Sequence, residues 1–518
     1  MSKKSFVTGA GILAISVIIA KVLGAVYRIP LASIIGAEGM GLYQFVYPVF
    51  ALLLTLSSGA VPNAISITVS EHVSCGDEEG ATRAFSVALK ISIIIGLCGM
   101  VLMLLLAYPI SLLQSKDALL GHLSIAPAIL IVTIISAFRG WFMGHSNLVP
   151  SSISQITEGT VKLLVGITLT SYLVKYGIKY AVVGALLGVV ASEFVTLVVM
   201  FVAYLAKRNR FISVKIKEEK ETVAKLKKLA LPLIVCGMIL PISQFVDSVV
   251  IVNLLKVSGN QYAVSNYGIW SGIVTPLINL PVMVCITLGI AVTPKMVEGR
   301  QKHDYEFIVD KAKTASKLTF LLGIPFVFFY VFMAKGIIGV LYPRLNETQL
   351  NLATTLLQIN AISVIGLSVF QIYSAMLQGL NRAKVPVKIM TACMVTKLLM
   401  SIILTPTLGI IGSAISASVG YLASGVVIAI YFIKFVNLSS EFVKNASLIT
   451  LCGGIMSMII ILSVKFVNNV YGIIAVVAVS LIVYMVAVMA FRVFDEKELE
   501  SMPFSKILLR FNKTMRGG

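Results

Sequence analysis

Charged residues, histidine and tryptophan are scarce in this chain. Asp, Glu, Lys and Arg make up 12% of its 518 residues, against 58% hydrophobic residues, and there are only four histidines and two tryptophans. A soluble globular domain has about 25% charged residues, so the composition excludes one and indicates a polytopic helical membrane protein. The apolar runs are long and continuous rather than short and alternating, which excludes an outer-membrane barrel.

Groups that usually hold metals or perform covalent chemistry are also missing as clusters. The chain has six cysteines, each more than twenty residues from the next: Cys75, Cys98, Cys236, Cys285, Cys393 and Cys452. Such spacing predicts neither a metal site nor a disulfide framework. No nucleophile–base pair and no phosphate-binding glycine loop is visible. We therefore expect no metal, no cofactor and no enzyme activity.

The net charge of +20 comes from Lys and Arg residues concentrated in alternate loops. This is the positive-inside pattern of membrane proteins, so it predicts that both termini are cytoplasmic and argues against a nucleic-acid partner. Attraction to anionic membrane lipids is a secondary effect of the same charges. The first apolar run contains Lys21 and Arg28 and lacks a convincing cleavage site, so we expect it to be retained as a span rather than removed as a signal peptide.

Hydropathy predicts an all-α fold with about fourteen transmembrane helices. The predicted spans lie near residues 8–35, 41–69, 84–107, 123–145, 151–174, 179–205, 229–255, 270–294, 316–341, 353–379, 386–407, 410–434, 446–467 and 471–491. We expect two pseudo-symmetric six-helix lobes and two extra helices. The predicted domains are an N-terminal lobe 1–206, a basic cytoplasmic linker 207–228, a C-terminal lobe 229–436, helices thirteen and fourteen in 437–492, and a cytoplasmic amphipathic tail 493–518.

An internal repeat supports the two lobes. Gly144 precedes Lys162 by 18 positions, and Gly379 precedes Lys397 by the same number. The repeat predicts that the two lysines occupy equivalent places in spans five and eleven. Duplicated bundles of this kind bind their substrate between the repeats, near the middle of the membrane.

Eight charged residues at predicted membrane depth are candidates for a functional role. A charge there costs at least about 2.5–3.5 kcal/mol, so it normally faces a cavity or a partner. The candidate substrate-binding cations are Lys21, Arg28, Lys162, Lys397 and Arg139. The candidates for ion coupling or charge pairing are Asp247, Glu158 and Glu193.

Several of these residues have alternative interpretations. Glu158 and Lys162 are four residues apart, so we expect them to pair along one helix. Arg139 and Lys21 are each compatible with a side chain that reaches the membrane interface. Asp247 either pairs with a cation of the chamber or binds a coupling ion. The excess of cations favours an anionic ligand, and a diphosphate would suit both Arg and Lys.

Sequence motifs over nearly the whole chain resemble a known group of transporters. The motifs are Lys21-Val-Leu-Gly24, Tyr27-Arg28-Ile-Pro30, Gly36-Ala-Glu-Gly-Met-Gly-Leu-Tyr43, Arg139-Gly-Trp-Phe-Met-Gly144 and Ala230-Leu-Pro232. They resemble the polysaccharide-export branch of the multidrug/oligosaccharidyl-lipid/polysaccharide flippase superfamily, in particular the stage V sporulation protein B-like group and the lipid II flippases.

The resemblance implies a two-lobed flippase of the bacterial plasma membrane that works by alternating access. Its substrate would be an undecaprenyl-diphosphate-linked sugar, lipid II or a related lipid-linked oligosaccharide, moved from the inner to the outer leaflet. The resemblance places Lys21 and Arg28 in a cationic cavity for the diphosphate, and helices thirteen and fourteen around the polyprenyl tail. The driving force stays open among Na⁺, H⁺ and the membrane potential.

Two alternatives remain at this stage. A cation-coupled multidrug or organic-cation antiporter of the same superfamily would use Asp247 or Glu193 to exchange its substrate for Na⁺ or H⁺. The first span has no acidic residue, which disfavours the antiporter hypothesis. A non-transporting scaffold would instead recruit cell-envelope synthesis enzymes through the cytoplasmic loops.

Overall fold

The computed structural model describes residues 3–206, 220–437, 441–464, 470–491 and 493–495. Within these ranges the regular structure is helical, and no residue is in a strand. The long helices follow the hydropathy pattern, because a segment in hydrocarbon must satisfy its backbone hydrogen bonds internally. The predicted all-α polytopic fold is thus confirmed.

The helices divide between two compact units, residues 1–272 and 273–518. The first unit contains α1 Lys3–Ser58, α2 Val61–Ser74, α3 Glu78–Leu113, α4 Leu119–Gly144, α5 Val149–Leu173, α6 Ile178–Ala206, α7 Lys220–Gly237, α8 Ile239–Val257 and α9 Ala263–Tyr267. The second contains α10 Thr275–Gln301, α11 Tyr305–Phe332, α12 Ala334–Leu341, α13 Glu347–Asn360, α14 Ser363–Gly379, α15 Lys384–Leu408, α16 Ile410–Val436, α17 Glu441–Val464 and α18 Val470–Ala490.

Among the described residues, eleven helices are long and apolar enough to cross a membrane, or twelve when the bent pair α13–α14 counts as one span. The predicted number of fourteen is therefore not confirmed. One difference arises in α1 and α2, where residues 22–74 count as a single run. Gly36 interrupts helical geometry there, with φ 66° and ψ −174°, between the first two predicted spans. The other is α5, which carries Glu158 and Lys162 and is not among the eleven.

Small residues bring α5 close to its neighbours in the first unit. A Cβ atom added to Gly166 would lie 2.9 Å from the ring of Tyr27 on α1, and one added to Gly159 would lie 3.1 Å from Leu23. On α6, Gly188 packs directly against the backbone of Gly166. Helices in membranes approach most closely where such residues meet. This packing sets α5 against α1 and α6, with Lys162 between the two glycines of α5.

The first unit extends beyond the predicted N-terminal lobe, because α8 and α9 pack with it. Gln44 on α1 donates from Nε2 to the carbonyl oxygen of Ser271 at 2.7 Å and to its Oγ at 2.9 Å. Gln114, just after α3, donates to Oγ of Ser248 at 2.7 Å, and Phe45 stacks on Tyr267 at 5.3 Å. The two six-helix lobes, with their boundaries at 206 and 229, stay a prediction.

The predicted linker and tail lie only partly within the described residues. Residues 207–219 lie outside the described residues, whereas 220–228 form the beginning of α7. There Leu226 packs into a buried cluster with Ile65 and Val69 of α2. The amphipathic tail, beyond residue 495, also lies outside the described residues.

The two additional helices α17 and α18 pack on α11 in the second unit. Their shared core contains Phe329 of α11, Met456 of α17 and Tyr484 of α18. The hydroxyl of Tyr484 donates to the carbonyl oxygen of Leu321 at 3.1 Å. The predicted role of these helices, a groove for a polyprenyl tail, stays a prediction.

Candidate functional site

A half-buried lysine on α5 forms the centre of the candidate site. The Nζ atom of Lys162 lies 5.3 Å from the ring centroid of Tyr27 and 5.6 Å from that of Tyr47, both on α1. A cation at such a distance from an aromatic face gains about 0.5–1 kcal/mol at an exposed site and about 2 kcal/mol or more where water is excluded. The two rings therefore hold the ammonium group of Lys162 between α5 and α1.

The tyrosines are themselves fixed by packing and hydrogen bonding. Tyr27 and Tyr43 are buried, whereas Tyr47 is half-buried. Tyr47 stacks on Tyr43 with ring centroids 5.7 Å apart, and the hydroxyl of Tyr27 donates to the carbonyl oxygen of Ala185 on α6 at 3.3 Å. Sequence reasoning missed this aromatic group. The available signal was the i, i+4 pair of tyrosines at 43 and 47, close to the cationic first span.

Arg28 adds a second cation to the site. It is half-buried, directly follows Tyr27, and lies close enough to Lys162 for the two charges to repel each other. Among the described ion pairs none involves Arg28. Bringing two cations together costs free energy that a bound anion would recover. The side chain of Lys21 lies outside the described side chains.

Glu158 forms its direct ion pair with Arg139 rather than with Lys162, although its carboxylate stays within Coulombic range of the lysine. Nη2 of Arg139 lies 3.1 Å from Oε2 of Glu158, and Nε of Arg139 donates to Oγ of Ser154 at 3.2 Å. The arginine side chain is 21% exposed and the glutamate side chain 36% exposed. Arg139 on α4 thus reaches across to α5 instead of extending to the interface, and the ammonium group of Lys162 stays with the tyrosines.

A second carboxyl group lies near this ion pair. Glu193 on α6 is buried at 7% exposure, within Coulombic range of Glu158, Arg139 and Lys162. Around α5 the structure therefore brings together three of the predicted cations, Arg28, Arg139 and Lys162, and two of the predicted acids. With both carboxyl groups ionised, these five described residues carry one excess positive charge.

Asp247 and Lys397 lie on other helices, α8 and α15. Asp247 is buried on α8 of the first unit and is not among the described Coulombic neighbours of Lys162 or Glu193. Lys397 lies on α15 of the second unit, at 2% exposure, with its Nζ atom 5.9 Å from the ring centroid of Tyr421. Each lysine of the sequence repeat is thus placed over tyrosine within its own unit.

Within the described part of the chain, no group of three or more His, Cys, Asp or Glu residues is placed to hold a metal ion. The arrangement around α5 is suited to electrostatic binding of an anion, with ammonium and guanidinium donors beside phenol rings. It offers no paired nucleophile and base.

Solved structures with the same fold are membrane transporters. Lipid II flippase MurJ in an inward closed conformation matches with a TM-score of 0.71 and 17% identity, over 93% of this chain and 98% of that chain. An inward-facing multidrug resistance MATE family transporter matches with a TM-score of 0.69 and 16% identity, over 82% and 96% of the two chains. At these identities the likeness shows the fold alone, a helical fold shared with solved membrane transporters.

Sequence comparisons show the family of the chain. The model of the family described as "Polysaccharide biosynthesis protein" matches residues 6–300, and the chain belongs to that family. The MatE model matches residues 232–403. Stage V sporulation protein B of Bacillus subtilis (strain 168) is 29% identical over 98% of this chain and 100% of its own length. Lipid II flippase MurJ of the same organism is 24% identical over 82% and 81% of the two chains.

Proposed function

We propose that the protein is a flippase that moves an undecaprenyl-diphosphate-linked sugar, lipid II or a related precursor, from the inner to the outer leaflet of the bacterial plasma membrane. The observation that carries the proposal is the position of Lys162 between α5 and α1, held over Tyr27 and Tyr47 beside Arg28. The family and the named activity of the MurJ relative supply the cargo class.

A diphosphate fits the chemistry of this group. A guanidinium can bind phosphate oxygens through two parallel hydrogen bonds, while an ammonium group acts as a compact point charge. Arg28 and Lys162 would thus share one doubly charged head group, which relieves the repulsion between them. The half-buried ring of Tyr47 lies beside Lys162, so it is available to contact the first sugar.

Alternating access is the mechanism that we propose for this transport. In it, Lys397 of the second unit contributes to the same cargo, and both termini lie in the cytoplasm. Either Na⁺ or H⁺, bound at Asp247 or Glu193, or the membrane potential would drive the cycle. Support for these points comes from the sequence repeat and the positive-inside pattern.

The antiporter alternative has weaker support. Its main basis is likeness to multidrug transporter structures, and an identity of 16% shows the fold alone. The cluster around α5 is positive rather than acidic, which disfavours an organic cation as its ligand. Asp247→Asn would abolish cation efflux if the protein were an antiporter, and it would leave the binding of lipid-linked diphosphates in place.

The experiment that tests the proposal measures lipid II at the outer surface of cells depleted of their own flippase. Cells receive the wild-type protein, Arg28→Ala, Lys162→Met or the control Lys175→Met. The control is matched because Lys175 also lies over two tyrosines, Tyr172 and Tyr176, but is exposed and lies just beyond the C-terminal end of α5.

We expect the wild type and Lys175→Met to restore outer-surface lipid II, and Arg28→Ala and Lys162→Met to fail at equal membrane expression. A wild type that restores nothing would contradict the proposed cargo. Equal restoration by all four proteins would contradict the role assigned to the cations.

A further inference from the structure

An apolar cavity lies between four helices of the first unit, away from the cluster around α5. It has a volume of about 120 Å³ and is bounded by the end of α1 and by α2, α3 and α7. Its walls include Leu56, Ala64, Ile91, Ile95, Leu226 and Ala230. Cavities lined by such side chains exclude water and accept apolar ligands.

Part of the wall of the cavity is exposed and apolar. Leu56 and Ile95 on its rim are exposed, and they belong to the long apolar runs that qualify as membrane spans. An aliphatic chain that enters past these two side chains would meet an apolar surface.

The described lining of the cavity includes one charged side chain. Lys227 on α7 is exposed and contributes to the wall of the cavity. It is two residues from Lys225, which forms an ion pair with Glu71 of α2. The carboxylate of Glu71 is thus engaged with Lys225, and the described ion pairs include no acidic partner for Lys227. An apolar cavity with one ammonium group at its mouth is complementary to a lipid with a negative head group.

We propose that this cavity binds part of one acyl chain of an anionic phospholipid, with the head-group phosphate on Lys227. At about 120 Å³ it would hold a short segment of the chain between α7 and the α2–α3 pair, and the rest of the lipid would lie outside it. This site is separate from the cargo site, and the inference does not depend on which lipid-linked sugar the protein moves.

The test measures lipid retention by native mass spectrometry of the full-length protein, delipidated in detergent and titrated with phosphatidylglycerol or phosphatidylcholine of identical chains. Lys227→Gln removes the charge at the mouth. Lys228→Gln is its matched control, because the next residue has the same charge and exposure but does not line the cavity. Ala230→Leu places a larger side chain in the cavity itself.

We expect the wild type to retain one phosphatidylglycerol more tightly than phosphatidylcholine. Lys227→Gln should weaken that preference about fivefold, the effect of one lysine at a lipid surface, while Lys228→Gln should not change it. Ala230→Leu should reduce the retention of both lipids.

If Lys227→Gln and Lys228→Gln reduced phosphatidylglycerol retention equally, the lipid would be bound unspecifically at the surface and the proposal would be overturned. Retention that Lys227→Gln leaves unchanged would also overturn it. Lys227→Gln alters no core contact, so it decides the question even if Ala230→Leu does not fold. If the wild-type protein retained phosphatidylglycerol but did not bind a polyprenyl diphosphate, that result would contradict the proposed transport function. It would not affect the inference about the phospholipid.

Discussion

The ion pair between Arg139 and Glu158 keeps Lys162 available for a ligand, and this dependence can be measured. Glu158 lies four residues before Lys162 on α5, a spacing at which carboxylate and ammonium groups meet along a helix. In the structure Arg139 occupies that carboxylate at 3.1 Å. We predict that Arg139→Gln releases Glu158 to pair with Lys162, which withdraws the ammonium group from the tyrosines and weakens cargo binding.

The size of the effect follows from distance and exposure. At 3.1 Å and an effective dielectric constant of about 20, the attraction between unit charges is about 5 kcal/mol. Desolvation and screening reduce the net value, which is about 0–1 kcal/mol for exposed pairs and reaches about 3–5 kcal/mol when a fully buried pair is broken. With the arginine 21% and the glutamate 36% exposed, we expect a coupling free energy of about 1–2 kcal/mol, or about 5- to 30-fold in binding.

A double-mutant cycle provides the assay. Binding of a polyprenyl diphosphate and the melting temperature are measured for Arg139→Gln, Glu158→Gln and the double variant. Arg139→Gln should lose affinity and melting temperature, and adding Glu158→Gln should restore the affinity. Arg83→Gln removes an arginine from an exposed pair with Glu79 and should change neither quantity. A double variant that binds as poorly as Arg139→Gln alone would refute the reasoning.

Three further predictions concern the fold. Gly36→Ala should destabilise the protein by about 1–3 kcal/mol in a thermal melt, because the observed φ of 66° and ψ of −174° belong to a region that is essentially reserved for glycine. Tyr484→Phe should lower stability by about 1 kcal/mol, since it removes the hydrogen bond to the carbonyl oxygen of Leu321; an unchanged melt would contradict this. The N-terminal hydrogen bond of α3, donated by the Gly80 amide, lowers the pKa of Asp77 below its ordinary value of 3.8. The stabilising effect of Asp77 is therefore full above the unfolded-state pKa and lost as the pH falls through the lower, folded-state value. Melting curves from pH 6 to about pH 3 should lose part of their acid sensitivity in Asp77→Asn.

Hydropathy was sufficient for the fold class because twenty-residue apolar runs can only be helices in a membrane. It was less reliable for the number of spans, for two physical reasons. In α5 the polar residues that build the site lower the hydropathy of the helix that carries them. In α1 a single glycine, Gly36, changes the chain direction inside an otherwise continuous helical run.

The boundary between the two compact units was harder to predict from the sequence than the helices. Residues 263–301 read as one continuous apolar stretch, and nothing in their composition marks Gly272 as a boundary between units. The boundary follows from contacts distant in sequence, such as the hydrogen bonds from Gln44 to Ser271. Amide side chains at positions 44 and 114 in apolar surroundings were the available signal, because a buried amide requires a partner.

The identity of the charged residues was predictable, but their pairing was not. Membrane depth alone selects Arg28, Arg139, Glu158, Lys162 and Glu193, since each is too costly to face lipid. Local spacing then offers Glu158 only one partner, the lysine four residues later. Tertiary packing offers a second, because α4 brings a guanidinium group that can bind the carboxylate and Ser154 at once. Lys162 in turn gains two aromatic faces that no local pattern could supply. The site therefore depends on a competition between a local and a distant partner for the same carboxylate. The outcome leaves Lys162 outside the described ion pairs, where an anionic cargo would supply a direct partner.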